Sequence, residues 1–419
     1  MLLRSLLVTT ISSKRYLLLP CLSILSFLSR RGRGYLLNVD RNPILHAILM
    51  KTFYEQFCAG ENKVATSNTV QQLKSLGFQG VILTYARELD FDHRTDTELG
   101  VGVTALRQAK AEKAVNPRVE RCANIDVWHK GLLETIDLLN EGDFLALKLT
   151  GAGPVTTKAL ATGGKLPKQM LRALDEICET CLDRKVRILI DAESQLVQWG
   201  IMSTTVGLMR RFNREGYALV FNTYQAYLKT TRDAVNQHLA AASKYGFTLG
   251  LKLVRGAYIG SEERSLIHDT KWETDDAYNG IAHGALRQEI GNFGTKDGQP
   301  FPSVDLFLAS HNKESILTAH QLHESRVRAG LPTVQVEFGQ LHGMSNEVSF
   351  ELLRLESLDG SRPRVYKCST WGSMGECLAY LLRRAIENRD AVSRTNEELR
   401  ALRSEVRRRL WSDSSPASA

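Results

Sequence analysis

Short runs of apolar and β-branched residues recur along this 419-residue chain, at 79–85, 143–149, 186–191, 218–222, 248–254, 304–309, 333–338 and 363–368. Each has about the length of a buried strand. Stretches with helical spacing, such as KQMLRALDEICETCLD and TTRDAVNQHLAAASKYG, lie between most of them. Strands alternating with helices predict a parallel sheet with helical crossovers. Eight such units over about 310 residues fit a (β/α)8 barrel better than the alternative, an open doubly wound sheet. No repeat of solenoid period is visible.

Near the end, YLLRRAIEN sets Leu378, Leu381, Leu382, Ala385 and Ile386 on one helical face. Tyr380, Arg383, Arg384 and Glu387 share the opposite face. Periodicity alone reads that face as solvated charge. Two guanidinium forks can also grip one carboxylate.

The same patterns divide the chain. Residues 40–75, containing HAILMKTFYEQFCAGEN, form a helical arm before the barrel domain, 76–390. The gap at 86–142, with ARELDFDHRTDTELG, reads as an insertion or mobile loop. Residues 391–419 read as a charged helical tail ending in a disordered SDSSPASA.

Charge then changes the picture at the front. Arg4, Lys14, Arg15, Arg30, Arg31 and Arg33 face no acid within 1–39 and supply most of the formal +8. The remainder has no basic domain to follow a nucleic-acid backbone. The acid-free Arg/Ser/Leu start is expected to be a mitochondrial targeting segment; a secretory signal is the rival. Its run YLLLPCLSILSFLS is short for a membrane span and contains Pro20. Seven scattered cysteines do not form a disulfide framework, and Cys178 and Cys181 read as structural thiols in a helix.

Catalytic groups of a barrel gather at the C-terminal strand ends. There the chain places Lys148, Asp191, Lys252, Arg255, Ser310, His311, Asn312, Gln340 and His342, with Glu337 close by. The set is cationic. His311 and His342 are too few for a zinc hydrolase, and His320 and His323 read as surface residues of a helix. Lys148 or Lys252 as a Schiff-base lysine stands beside the plainer reading of a lysine paired with an acid. Gly151-Ala-Gly153 lacks the third glycine of a dinucleotide fingerprint.

In order, LALKLTGAG (145–153), ILIDAES (188–194), VFNTYQAYLK (220–229), LKLVRGAYI (251–259), LASHNKES (308–315), VEFGQLHGMS (336–345) and YLLRRAIEN (380–388) resemble the proline dehydrogenase family, mitochondrial branch. FYEQFCAGEN (53–62) resembles the arm that precedes its barrel. The resemblance implies a distorted (β/α)8 barrel that oxidises L-proline to 1-pyrroline-5-carboxylate with FAD and passes electrons to a membrane quinone, in the mitochondrial matrix or at the periphery of the inner membrane. It implies that Lys148, Arg383 and Arg384 hold the substrate carboxylate and that Glu61 pairs with Arg383 as a gate. Tyr258, Leu341 and Tyr380 line the pocket, and Asp191 lies near the flavin and Lys148. Gln225, Arg255, Gly256, Ala257, Ser310, His311 and Asn312 contact FAD, and Lys252 is the donor to flavin N5. No metal is implied.

One departure stands out. The family commonly has Tyr-x-Pro-x-Gly after the eighth strand, its tyrosine packed on the substrate ring. Here the stretch is Cys368-Ser-Thr-Trp-Gly372, with Trp371 expected to fill part of the space. Cys368 keeps open a sibling enzyme for hydroxyproline or another cyclic amino acid. A non-catalytic paralogue is the reading from a different class.

Overall fold

The computed structural model describes residues 2–29, 34–86, 89–92, 97–100, 121–260, 262–356, 360, 362–378, 380–382 and 399–408. Its sheet strands are β1 (Cys58–Gly60), β2 (Gly80–Tyr85), β5 (Phe144–Leu147), β6 (Arg187–Ile190), β7 (Val220–Gln225), β8 (Leu249–Val254), β9 (Val304–Ala309), β10 (Val336–Leu341) and β11 (Arg364–Trp371). A separate antiparallel pair, β3 (Leu89–Asp92) and β4 (Thr97–Gly100), lies inside the long gap. The eight strands β2 and β5 to β11 pair in parallel in chain order, and β11 returns to pair with β2. The sheet is therefore a closed (β/α)8 barrel, as the alternation predicts.

Period-two alternation sorts the strand side chains into two cores. Ile82, Phe144, Ala146, Leu189, Phe221, Phe307 and Tyr366 point inward and fill the barrel. Phe144 meets Phe221, Phe307 and Tyr366 edge-on, with ring centroids 5.8, 5.2 and 5.0 Å away. Gly339 faces this stack; a Cβ there would lie 2.6 Å from the Phe307 ring. The alternate residues, such as Leu145, Ile188, Leu251 and Leu253, point outward under the helices. The helix Lys168–Asp183 shows the matching stripe, burying Met170, Ala173, Leu174, Ile177, Cys178 and Cys181. Both thiols are structural, and burial pushes Cys178 up to about 12.

Three strands differ from their apolar runs. β7 and β11 run three residues further, and β10 starts and ends three residues later. The added residues are mostly polar, because strand ends at a barrel mouth carry function rather than core. The shift moves Glu337 to the opposite end of the barrel. There it takes a 2.6 Å ion pair from Arg187 and a hydrogen bond from Tyr366 Oη. Arg187 also stacks 4.2 Å over Phe144, closing the floor.

The arm is more than helical. A helix α3 (Pro43–Leu49), capped by Asn42, runs into a π-helical turn Met50–Tyr54 and then into β1, which pairs with β11. The region 374–382 is helical where described and starts against the arm. Tyr54 Oη donates to Gly372 O, while Glu61 accepts from Met374 N and Asp40 from Gly375 N at 2.8 and 2.9 Å. Ahead of the arm lie α1 (Leu2–Ser12) and α2 (Arg15–Ser29). Their buried residues Val8, Leu18, Leu22, Leu25 and Leu28 share a cluster with Tyr54, Phe57, Leu378 and Leu381.

Candidate active site

Alternation that buries Phe144, Leu189, Phe221, Phe307, Gly339 and Tyr366 inside the barrel also aims the residues further along each strand. Stepping by two gives Lys148, Asp191, Gln225, Lys252, His311, Leu341 and Cys368 at the C-terminal end. The candidates gather there because they share one parity with the aromatic stack.

Lys252 Nζ donates to Asp191 Oδ1 at 2.8 Å, linking β8 to the end of β6. Lys148, just after β5, donates to Tyr258 Oη at 3.0 Å, and its backbone carbonyl accepts from Trp128 Nε1. Lys252 therefore has the acid of a paired cation, while the Lys148 bond is to a phenol. Leu341 and Cys368 are register partners on β10 and β11. The Leu341 amide donates to His311 Nε2 at 3.1 Å, which puts the proton of the neutral ring on Nδ1.

Beside this layer Arg255 is fixed from three sides. Its Nε donates to Asp275, its Nη1 to Ser310 Oγ and its Nη2 to Ser315 Oγ, and it lies 4.3 Å over the Tyr278 ring. Burial would raise Asp275, but hydrogen bonds from Lys271 and Arg255 outweigh it and hold the carboxyl below its ordinary value. Asn312 caps the helix Lys313–Arg328 by accepting from Ser315 N, and its own amide donates to Ser310 Oγ. Gly256 has φ +135°, and a Cβ there would lie 2.3 Å from the Tyr227 ring. The loop 255–258 thus needs a residue without a side chain at that point. Ala257 follows in the same turn.

Other expectations change. Trp371 points outward, donates to Thr135 Oγ1 at 3.0 Å and packs on Tyr85, so it does not fill the space beside Cys368. It lies an odd number of residues from Cys368, and odd steps alternate faces. His342 is outward for the same reason, buried against Ser369, with burial and the charges of Lys367 and Arg4 pulling it down to about 3. Gln340 also faces outward, accepting from Ser349 in the helix Asn346–Arg354. His320 is buried against the Phe338 ring and His323 is half-buried near Thr333; both had read as surface residues. A helical pattern alone did not reveal which of its faces carried them.

Tyr380 is buried with Leu378 and Leu381, so the helical segment after Ser373 is packed at this turn on both faces. Glu61 pairs through its second oxygen with His46 Nε2 at 3.0 Å. Arg383, Arg384 and Glu387 lie outside the described residues, and so does the expected pairing of Glu61 with Arg383.

Glu193 was missed. It is buried two residues beyond Asp191, accepts from Thr150 N and Thr150 Oγ1, and its carbonyl accepts from Gln225 Nε2. Burial pushes its carboxyl up, opposed by the charge of Lys148 and the bonds from Thr150. The spacing Asp191-x-Glu193 was the available signal.

With this geometry in place, likeness to known proteins is informative. The family model described as proline dehydrogenase matches residues 66–397. The chain is 30% identical over 399 residues to a probable mitochondrial proline dehydrogenase of Schizosaccharomyces pombe, covering 86% of this chain and 80% of that protein. It is 30% identical to mitochondrial proline dehydrogenase 1 of Dictyostelium discoideum, covering 88% of this chain and 66% of that one. Hydroxyproline dehydrogenase of Bos taurus is 29% identical, covering 87% and 82%. In fold, the chain resembles proline utilization A from Bdellovibrio bacteriovorus, with TM-score 0.65 at 16% identity, over 91% of this chain and 38% of that one. The chain belongs to the proline dehydrogenase family and is an oxidoreductase of that family.

Proposed function

We propose that the chain oxidises L-proline to 1-pyrroline-5-carboxylate with FAD, in mitochondria, and that the electrons pass to a membrane quinone. Residues 1–39 direct import, and the barrel domain 76–390 carries the chemistry. The observation that supports this most is the single inward parity shared by Lys148, Asp191, Lys252, Leu341 and Cys368 at the barrel mouth.

The donor set suits FAD. Arg255, oriented by Asp275, Ser310 and Ser315, has the chemistry for a phosphate, and Gly256 leaves room for close approach of backbone. Gln225, Ala257, Ser310, His311 and Asn312 complete the proposed contacts. When bound, FAD supplies a two-electron acceptor for hydride.

The remaining work falls to the chain. Lys148, with Arg383 and Arg384, holds the substrate carboxylate, and Tyr258 keeps the lysine in place. Tyr258, Leu341 and Tyr380 wall the ring, and Glu61 gates it. This anchor fixes the ring carbon without touching the reacting bond. A cationic pocket disfavours ammonium, so the amine sheds its proton before the C–H bond breaks. Loss of that hydride and of the N–H proton leaves the C=N bond of the product. Lys252, oriented by Asp191, offers a donor where negative charge arrives.

Purified protein is expected to be yellow and to bleach anaerobically with L-proline. Colourless protein that takes up no FAD would sink the proposal. The geometry of Cys368 favours one second reading, a hydroxyproline enzyme, because Cys368 stands where the family has its tyrosine and Trp371 faces away from it. A panel of cyclic amino acids scored by bleaching rate separates the two; proline bleaching fastest removes the second.

A further inference from the structure

His46, on α3, turns both ring nitrogens toward acceptors. Its Nδ1 lies 3.1 Å from Val39 O and its Nε2 lies 3.0 Å from Glu61 Oε2. A carbonyl oxygen brings no proton, so Nδ1 carries one. A neutral ring would then aim the Nε2 lone pair at a carboxylate oxygen. The contact needs one further proton, shared by the pair. Near neutrality an imidazole takes that proton more readily than a carboxylate does. Glu61 Oε1 also accepts from Met374 N, which favours the ionised carboxyl. The pair is therefore an imidazolium against a carboxylate.

Other titratable groups on the elements around it are engaged elsewhere or neutral. Asp40, in the turn before α3, accepts from Gly375 N, and Arg41 beside it is exposed. Lys51 pairs with Glu55, which also takes Arg4, and Lys63 pairs with Asp137. Glu376, after β11, accepts from Ser373 N and Oγ. Tyr54 and Cys58 are buried, and burial pushes both up, so neither carries charge. In the proposed site Glu61 also closes on Arg383. An imidazolium and a guanidinium at one carboxylate compete for its oxygens and repel each other.

We propose that His46 is a positioning residue for the gate. Its imidazolium draws Glu61 Oε2 toward the arm and loosens the grip of Glu61 on Arg383. Loss of the ring proton releases that oxygen, and the gate closes more tightly over the substrate. This deepens the proposed function and rests on Glu61 acting as a gate.

The test uses the FAD-loaded full chain and cyclopentanecarboxylate, a ring carboxylate with no amine of its own to titrate. Its Kd is measured by calorimetry between about pH 5.5 and 8. At the acid end the parent should bind about three- to tenfold more weakly than His46→Leu, and the two should converge at the alkaline end. His46→Arg, a cation throughout, should keep the weak binding at about pH 8. A merely structural role would not give that order. A parent-to-His46→Leu ratio that stays level with pH overturns the proposal. So does tight binding by His46→Arg at the alkaline end, which decides the matter even where His46→Leu does not fold. Glu61→Gln separates the two readings. If it changes Kd while the ratio stays level, the gate stands and His46 does not set it. If it binds like the parent at every pH, the gate falls and this inference with it. No binding by the parent at any pH would strike the proposed carboxylate site itself, and the inference too.

Discussion

Lys252 Nζ lies 2.8 Å from Asp191 Oδ1 across the barrel mouth, and both side chains are mostly buried. Each fixes the other, and removing either leaves a poorly solvated charge aimed at the proposed flavin edge. Asp191→Ala should cut kcat by at least about tenfold and lower FAD content. Steady-state rates with the flavin-to-protein ratio check it; an untouched kcat removes Asp191 from the mechanism.

In the proposed site Tyr258 walls the ring and accepts from Lys148 Nζ. Tyr258→Phe removes one hydrogen bond to a charged group on a half-exposed surface. KM for proline should rise about three- to tenfold with kcat little changed, the mark of uniform binding. Arg383→Met should raise KM more strongly, by about a hundredfold, with a smaller loss of FAD. An unchanged KM would return that arginine to solvent.

Gly256→Ala puts a Cβ 2.3 Å from the Tyr227 ring at a φ of +135°. The loop must move to accept it. About 2–4 kcal/mol of stability and much of the bound flavin should go together. Thermal unfolding and visible absorbance of the variant measure the two losses.

Arg187 and Glu337 close the far end of the barrel. Arg187→Met leaves the buried glutamate with only Arg364, 3.7 Å away, and the Tyr366 hydroxyl, which should cost about 3 kcal/mol. Activity per folded molecule should stay near the parent, because the floor lies at the opposite end of the barrel from the proposed site. Urea unfolding and rates at low denaturant separate the two effects.

Acid should weaken the fold through its buried histidines. Burial, with the charges of Lys367 and Arg4, pulls His342 down to about 3, and burial pulls His238 to about 4. The folded state keeps both neutral where the unfolded chain binds protons. Their contribution is whole above about 6.5 and is lost as pH falls toward those values, at about 1.4 kcal/mol per pH unit for each histidine. Replacing His342 with Asn should flatten the fall of the urea midpoint between about pH 6 and 4.

The eight strand runs were legible because buried parallel strands are continuous apolar segments. Their polar ends at β7, β10 and β11 were not, since hydrophobic pattern stops where function begins. That is why Glu337 was read at the wrong end and Trp371 on the wrong face. Lys148, Asp191 and Lys252 were readable from strand ends alone. Glu193 was not read, because it lies three residues past its strand and its spacing from Asp191 is a weak signal until the Thr150 and Gln225 bonds are seen. β1 was missed because three residues are too few to show a period.

The arm fastens the segment after β11 through Tyr54 to Gly372, Glu61 to Met374 and Asp40 to Gly375, contacts that join residues 318, 313 and 335 positions apart. On the ribosome the arm emerges first, yet these native partners are completed only when the last strand has been made. Throughout synthesis it is therefore without them, while the barrel between can close on its own strands. The last step of maturation is then a docking of the chain's beginning onto its end, and the finished mouth exists only after that step.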